Sequence, residues 1–166
     1  DYINDRPVGE VSVKGAQSSV EAAPTGTYDV KIDYTVTFTN TTDADGSGSD
    51  IVLRPQVPAG FTLKNVTGTG TPWWIHEDDY AIRPDGSVPL STGDALYANS
   101  STTMTFTNTY TVNADAITEE GWKALGTCNP QDPSQGLTTR IDVAGSYAGI
   151  EAGTHSTCTT VTRTKN

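Results

Sequence analysis

The stretch DADGSGSD at residues 43–50 could form a calcium-binding loop. A loop of the EF-hand type needs oxygen ligands at positions 1, 3 and 5, glycine at position 6 and a bidentate glutamate at position 12. Asp43 and Asp45 supply two of the oxygens, and Asp50 is a third acid nearby, but position 12 is Arg54, a cation. Because aspartate, glycine and serine also predominate in exposed strand connections, the preferred interpretation is a turn. Calcium is the alternative, and no other cofactor is expected.

The stretch PWWIHEDDY at residues 72–80 could bind a carbohydrate. Adjacent residues of a strand point to opposite faces, so one of Trp73 and Trp74 could be exposed and stack on a sugar ring. Glu77 and Asp78 could then bind the sugar hydroxyls. The preferred interpretation is that one indole caps the core and the other packs beneath the insert, because aromatic side chains bury well.

The same acids, together with Asp79, could supply the paired carboxylates of glycoside hydrolysis. Acids that are adjacent in sequence more often solvate a loop. The sequence contains no GxSxG elbow, no HExxH helix and no glycine-rich phosphate loop. We therefore expect that the protein is not an enzyme, and a glycan hydrolase is retained as a third hypothesis.

The two cysteines, Cys128 and Cys158, could form one disulfide. The bond would close a loop of about 30 residues and stabilise the fold by about 3–4 kcal/mol on the chain-entropy model. The alternative is two free buried thiols in a cytosolic protein. We expect the disulfide, because the composition is typical of an extracellular domain, where such bonds persist. A zinc site is not expected, since there is no CxxC motif and there are two histidines.

The charge of the 166-residue chain excludes two classes of partner. Twenty acidic and ten basic residues give a formal net charge of -10, which repels nucleic acid and anionic lipid. No apolar run approaches the ~20 residues that a membrane span requires. Abundant threonine, serine and glycine with only 18% charged residues favour a β-rich domain outside the cell over an acidic disordered tail.

Two stretches predict long strands with one buried and one wet face. Residues 27–40, TYDVKIDYTVTFTN, place apolar side chains at every second position from Tyr28 to Phe38. Residues 101–112, STTMTFTNTYTV, repeat this alternation, with Asn108 as the one polar member of the inward row. Period-two alternation is typical of a half-buried antiparallel strand. Since TFTNT occurs at residues 37–41 and again at 105–109, we predict two equivalent strands of one domain. Further strands are predicted at 10–18, 51–61, 137–150 and 155–164.

One helix is predicted within residues 113–128, NADAITEEGWKALGTC. Ile117, Trp122 and Leu125 fall near one face, and Gly126 stands where the helix should end. Residues 67–100 are predicted to form an insert rich in turn signals. The elements together predict an all-β sandwich with one short helix and a loop insert.

Four segments resemble the conserved-repeat domain of unknown function number eleven, which occurs in secreted bacterial surface proteins. YTVTFTN at 34–40 and VPAGF at 57–61 are similar to its signature strand and to the LPAGF-like end of its next strand. LYANSSTTMTFTNTYTV at 96–112 is similar to a later segment, and RIDVAGSYAG at 140–149 to the penultimate strand, with departures at 141–143. The resemblance implies an immunoglobulin-like antiparallel β-sandwich, often in tandem on a cell-wall-anchored protein. It implies no catalytic residues.

Surface domains of this kind in Gram-positive bacteria sometimes contain a lysine–asparagine isopeptide bond. Lys14 or Lys31 could supply the amine and Asn108 the amide, with Asp33 or Asp142 as the assisting acid. The preferred interpretation is that no bond forms, because the alternation places Lys31 on the wet face. Asn108 would then hydrogen-bond nearby backbone.

We therefore expect residues 9–166 to form one domain preceded by a linker at residues 1–8. Its predicted function is that of a structural or adhesive stalk module of a bacterial cell-surface protein, exposed outside the cell. The expected partners are neighbouring domains of the same protein and a host or glycan ligand. The alternative is a carbohydrate-binding module that uses an exposed tryptophan of the 71–80 insert.

Overall fold

The computed structural model describes most of the chain: residues 8–15, 19–40, 43, 51–69, 81–90, 97–129, 131–132, 134–143, 149–150 and 153–164. These residues form two five-stranded sheets, a 3-10 turn at Ala114–Ala116 and one α-helix, α1, at Glu119–Leu125. No helix within these ranges is long and apolar enough to cross a membrane.

The strands are numbered in chain order. The first sheet contains β1 (Val8–Gly15), β3 (Thr27–Asn40), β5 (Phe61–Thr69), β7 (Ser100–Asn113) and β9 (Gly149–Ile150), in the spatial order β5-β7-β3-β1-β9. The second contains β2 (Ser19–Ala22), β4 (Ile51–Pro55), β6 (Val88–Leu90), β8 (Leu137–Val143) and β10 (Gly153–Arg163), in the order β2-β10-β8-β4-β6.

This strand order is immunoglobulin-like. In an immunoglobulin sandwich one sheet holds strands A, B, E and D and the other holds C, F and G. Here β1, β3, β7 and β5 take the first four places, and β4, β8 and β10 take the other three. The predicted all-β, immunoglobulin-like sandwich with one short helix is therefore confirmed. It is not antiparallel throughout, because β1 pairs with β9 and β2 pairs with β10 in parallel.

The two predicted long strands, β3 and β7, are neighbours that pair antiparallel over fourteen residues each, from Thr27 opposite Asn113 to Asn40 opposite Ser100. Their inward rows are buried as the alternation predicts: Val30, Ile32, Tyr34 and Val36 in β3, and Phe106, Asn108, Tyr110 and Val112 in β7. At about 3.4 Å per residue, the two strands give the sandwich a length of about 45 Å.

The helix closes the end of the sandwich where β7 finishes. Thr118 caps its start, since the Thr118 hydroxyl accepts a hydrogen bond from the Gly121 N–H at 3.0 Å. Trp122 and Leu125, together with Ile117 just before the helix, are buried against the core. The predicted apolar face of this helix is thus confirmed.

Strand β1 covers only part of its neighbour. It pairs with β3 from Gly15 opposite Tyr34 to Gly9 opposite Asn40, and β2 then continues in the second sheet beside β10. The other half of β3, residues 27–33, pairs with β7 alone within the described chain. The first sheet therefore has an open half-edge beside β2.

Gly60, at the turn before β5, is a position where an added side chain should destabilise the fold. Its φ is +88°, and a Cβ would lie 2.5 Å from Ile117 Cγ1 and 3.2 Å from the Asn113 carbonyl oxygen. We expect Gly60→Ala to lower the free energy of unfolding by about 2–4 kcal/mol in urea denaturation, from left-handed strain and overpacking together.

Gly86 provides the matched control for this substitution. Its φ is +85°, but no heavy atom lies within 4 Å of an added Cβ. Gly86→Ala should therefore show the conformational strain alone, about 1–2 kcal/mol. Equal losses at the two positions would contradict the role assigned to the Ile117 contact.

Candidate functional site

The predicted disulfide between Cys128 and Cys158 is present, with the two Cα atoms 6.0 Å apart. Cys128 follows α1, and Cys158 lies in β10, so the bond ties the helix exit to the last strand. Gly136 passes directly against the bridge: its φ is +68°, its N–H donates to the Ala124 carbonyl at 2.7 Å, and a Cβ there would collide with both sulfur atoms. Cys128 and Gly136 are thereby held against β10.

Removal of the disulfide should destabilise the domain. The bond spans a sequence separation of 30 residues, so the double substitution Cys128→Ser with Cys158→Ser should lower the free energy of unfolding by about 3–4 kcal/mol. Guanidinium denaturation with and without reductant measures this. Reductant should weaken the unsubstituted protein by the same amount and leave the double variant unchanged; a response of the double variant would place the effect elsewhere.

Arg163, at the end of β10, is held against α1 by two interactions. Its guanidinium donates two hydrogen bonds to the Glu119 carboxylate at 2.8 and 2.9 Å, and its Cζ lies 5.5 Å from the ring centroid of Trp122. The hydrogen bonds and positive charge of Arg163 hold the pKa of Glu119 below its ordinary value. These contacts border an open groove of about 980 Å³ between α1 and β10.

Asp142 links three strands of the second sheet on its outer face. Its carboxylate accepts hydrogen bonds from Arg54 of β4 at 2.7 Å, from Arg140 of β8 at 3.2 Å and from Thr154 of β10 at 3.0 Å. Partial burial acts to raise the pKa of Asp142, but the hydrogen bonds from Arg54, Thr154 and Arg140 outweigh it and lower the pKa. The ionised carboxylate is therefore a structural link between β4, β8 and β10.

The lowered pKa of Asp142 predicts a loss of stability in acid. A carboxyl whose pKa is lower in the folded state contributes stability above its unfolded pKa of about 3.9, and this is lost as the pH falls through the folded value. Asp142→Asn should therefore show a smaller decrease in the free energy of unfolding between about pH 5 and pH 2 than the unsubstituted protein. Identical acid profiles in chemical denaturation would contradict this role.

A cluster of polar side chains occupies the centre of the sandwich. Asn108 of β7 is fully buried, and its Nδ2 donates to the Thr139 hydroxyl of β8 at 3.2 Å and lies 3.5 Å from the Tyr110 hydroxyl. Tyr34 of β3 is also fully buried, and Thr159 of β10 lies close to its hydroxyl. Burial raises the pKa of both tyrosines, with Thr139, Asn108 and, for Tyr34, Thr159 acting in the opposite direction. The cluster joins both sheets through neutral groups.

The structure separates Lys31 from Asn108, one of the two pairs considered for an isopeptide bond. Lys31 is exposed on the outer face of the first sheet, whereas Asn108 is buried on its inner face, so the Lys31–Asn108 pair is wrong. Lys14 lies in β1 opposite Thr35, but its side chain is outside the described part, and a bond from Lys14 stays an untested alternative to the preferred interpretation that no bond forms. Asn108 was expected to hydrogen-bond nearby backbone. Its side-chain partners are instead the hydroxyls of Thr139 and Tyr110.

The other predicted sites lie largely outside the described residues. Asp43 is exposed and accepts a hydrogen bond from the Asn99 Nδ2 at 3.1 Å. No group of three His, Cys, Asp or Glu side chains that could hold a metal occurs in the described ranges. Outside those ranges are the two other calcium candidates and the four residues of the tryptophan insert, namely Asp45, Asp50, Trp73, Trp74, Glu77 and Asp78.

Some residues of this architecture were not predicted from sequence. Arg163 and Gly136 carried no recognisable signal, because their partners are distant along the chain. Asn108 did carry a signal, since it interrupts an apolar row. Asp142 was considered only as an acid assisting a crosslink.

Comparisons with known proteins identify no family. No family model matches the chain, and no curated protein matches it in sequence. The resemblance to the conserved-repeat domain number eleven therefore stays a prediction.

Several solved structures are similar in shape. A cohesin module from a Clostridium perfringens family 33 glycoside hydrolase is 11% identical with a TM-score of 0.47, covering 96% of this chain and 99% of that chain. A complex of CaDoc0917 with CaCohA2 is 13% identical with a TM-score of 0.39, covering 92% and 100%. A Vibrio harveyi exo-β-N-acetylglucosaminidase is 15% identical with a TM-score of 0.33, covering 93% of this chain and 18% of that chain. Similarities at these scores carry no argument about function.

Proposed function

We propose that this domain is a non-catalytic structural module of a bacterial cell-surface protein, placed in series between neighbouring domains. The observation that supports it is where the chain enters and leaves. Strand β1 starts beside Asn40, at one end of β3. Strand β10 finishes beside Ala22 and against α1, at the end where β3 begins. Entry and exit are therefore separated by the long axis of the sandwich, about 45 Å at 3.4 Å per residue.

This placement determines how the fold would resist tension. Strand β1 runs antiparallel along β3, and β10 runs antiparallel along β8 and parallel to β2. A force that separates the two ends acts along these strands, so that the backbone hydrogen bonds of each ladder share it. A force applied between two residues at the same end of the sandwich would instead break the backbone hydrogen bonds of a ladder one pair at a time. The arrangement with entry and exit at opposite ends should therefore resist a pulling force better than one with both at the same end.

Five carboxylates within the described ranges make structural contacts. Hydrogen bonds or ion pairs lower the pKa of Asp29, Asp85, Glu119, Asp132 and Asp142. These five groups are therefore unsuited to act as the general acid of a hydrolase, which needs a pKa raised toward neutrality. The disulfide supports an extracellular location, because such bonds persist in oxidising compartments. Carbohydrate binding and glycan hydrolysis by the tryptophan insert remain alternative hypotheses.

Single-molecule pulling tests the stalk hypothesis. We expect a distinct unfolding peak when the domain is pulled between residues 8 and 164, and a lower unfolding force when it is pulled between residues 8 and 40, which lie at one end. The disulfide should shield the chain between its cysteines, which are 30 positions apart. Reduction should therefore lengthen the unfolded chain by about 100 Å, at 3.3–3.6 Å per residue.

The same measurement can contradict the hypothesis. Equal forces in the two pulling directions, or no force peak between residues 8 and 164, would mean that the fold is not organised to resist tension. The double cysteine-to-serine variant is the control for the length change, since reductant should not alter its unfolded length.

A further inference from the structure

Two polar atoms at the centre of the sandwich have no hydrogen-bond partner among the described residues: the hydroxyl oxygen of Tyr34 and Oδ1 of Asn108. Both side chains have 0% exposure to solvent. Buried polar atoms are almost always paired, either with protein groups or with ordered water. The two atoms therefore indicate a small polar ligand inside the core.

The surroundings define what this ligand must be. Tyr34 and Asn108 lie on the same inner face of adjacent strands, because Tyr34 is opposite Phe106 and Ile32 is opposite Asn108. From the second sheet, Thr139 and Thr159 come close enough to the Tyr34 hydroxyl to affect its pKa. Asn108 lies close to it as well, since hydrogen bonding from all three side chains acts to lower the pKa of Tyr34, but none of the three meets ordinary hydrogen-bond geometry with the hydroxyl oxygen. All of these groups are neutral, which suits water rather than an ion.

We propose that one water molecule is bound between Tyr34 and Asn108 and joins the two sheets at the centre of the core. It donates a hydrogen bond to Asn108 Oδ1 and forms a second with the Tyr34 hydroxyl. A buried water of this kind typically makes about three hydrogen bonds, and the hydroxyls of Thr139 and Thr159 are within the same cluster. The site is independent of the stalk function.

The proposal does not depend on which way the Asn108 amide is placed. In the present orientation Nδ2 donates to Thr139, and the carbonyl oxygen is left over. If the amide were rotated, the oxygen would accept from the Thr139 and Tyr110 hydroxyls, and the NH₂ group would be left over. Water is both donor and acceptor, so it satisfies either arrangement. A purely accepting or purely donating ligand would satisfy only one.

A crystal structure of the protein, at a resolution that shows ordered water, tests the proposal directly. We expect one density peak at about 2.7–3.2 Å from both Tyr34 Oη and Asn108 of the unsubstituted protein. A direct hydrogen bond between Tyr34 and Asn108, or density for neither bond nor water, would overturn the proposal. Continuous density from Asn108 Cγ to another side chain, with the loss of one ammonia in the intact mass, would overturn it in favour of a crosslink.

Three variants test whether the water contacts Tyr34 and Asn108. Tyr34→Phe removes one orphan hydroxyl but keeps the ring that stacks on Phe106 at 5.1 Å, and the water peak should be lost or displaced. Tyr110→Phe is the matched control, because it removes a hydroxyl beside Asn108 Nδ2 rather than one of the two orphan atoms, and the peak should remain. Asn108→Leu should abolish the peak. Persistence of the peak in both Tyr34→Phe and Asn108→Leu would place the water elsewhere and overturn the assignment.

For a variant that does not crystallise, NMR provides the same discrimination. Magnetisation transfer from a long-lived water to the Asn108 side-chain NH₂ protons should be present in the unsubstituted protein and in Tyr110→Phe. It should be reduced several-fold or lost in Tyr34→Phe. Equal transfer in Tyr34→Phe and Tyr110→Phe would contradict a water shared with the Tyr34 hydroxyl.

Discussion

The antiparallel pairing of β3 with β7 along their whole length is the constraint on which the rest of this structure depends. It fixes which side chains meet in the core: Tyr34 is opposite Phe106, and their rings stack with centroids 5.1 Å apart. A slip of one residue would turn every inward side chain toward solvent, so the apolar rows and the register enforce each other. The same ladder places the chain entry and exit at opposite ends. Strand β1 starts beside the C-terminal end of β3, whereas α1 follows the C-terminal end of β7, which lies at the other end of the ladder.

Closure of the sandwich is concentrated at the end where β10 finishes. The helix packs Trp122 and Leu125 onto the core, the disulfide fixes Cys158 of β10, and Arg163 pairs with Glu119. An exposed ion pair of this kind contributes little by itself. Here it holds the end of β10 in place, after the disulfide and the packing of α1 have already limited the movement of that strand. The three contacts act on one strand, which is also the strand through which tension would leave the domain.

The sequence predicts this fold well where the alternation is uninterrupted and poorly where it is broken. β3 and β7 have strict period two and were predicted almost to their ends. β5 was not, because a bulge at Lys64 shifts its register and separates the inward-facing Leu63 and Val66 by three residues instead of two. β2 and β6 have four and three residues, too few for periodicity. Asn108 was predicted to point inward, but Thr139 comes from the other sheet, and only the packing of two sheets brings them together.

Among the described residues, the edge strands of the first sheet carry features that oppose edge-to-edge association. Unpaired strand edges invite association, and charged side chains and bulges oppose it. The free half-edge of β3 carries Asp29, Lys31 and Asp33 on its outer face, and β5, at the opposite edge, carries the bulge at Lys64. Lys64 is paired with Asp29 at 2.9 Å, so the bulge is held in place across β7. With a net charge of -10, two copies of the domain also repel each other. Under the proposed stalk function, contacts with neighbouring domains would lie at the ends, where the chain enters and leaves.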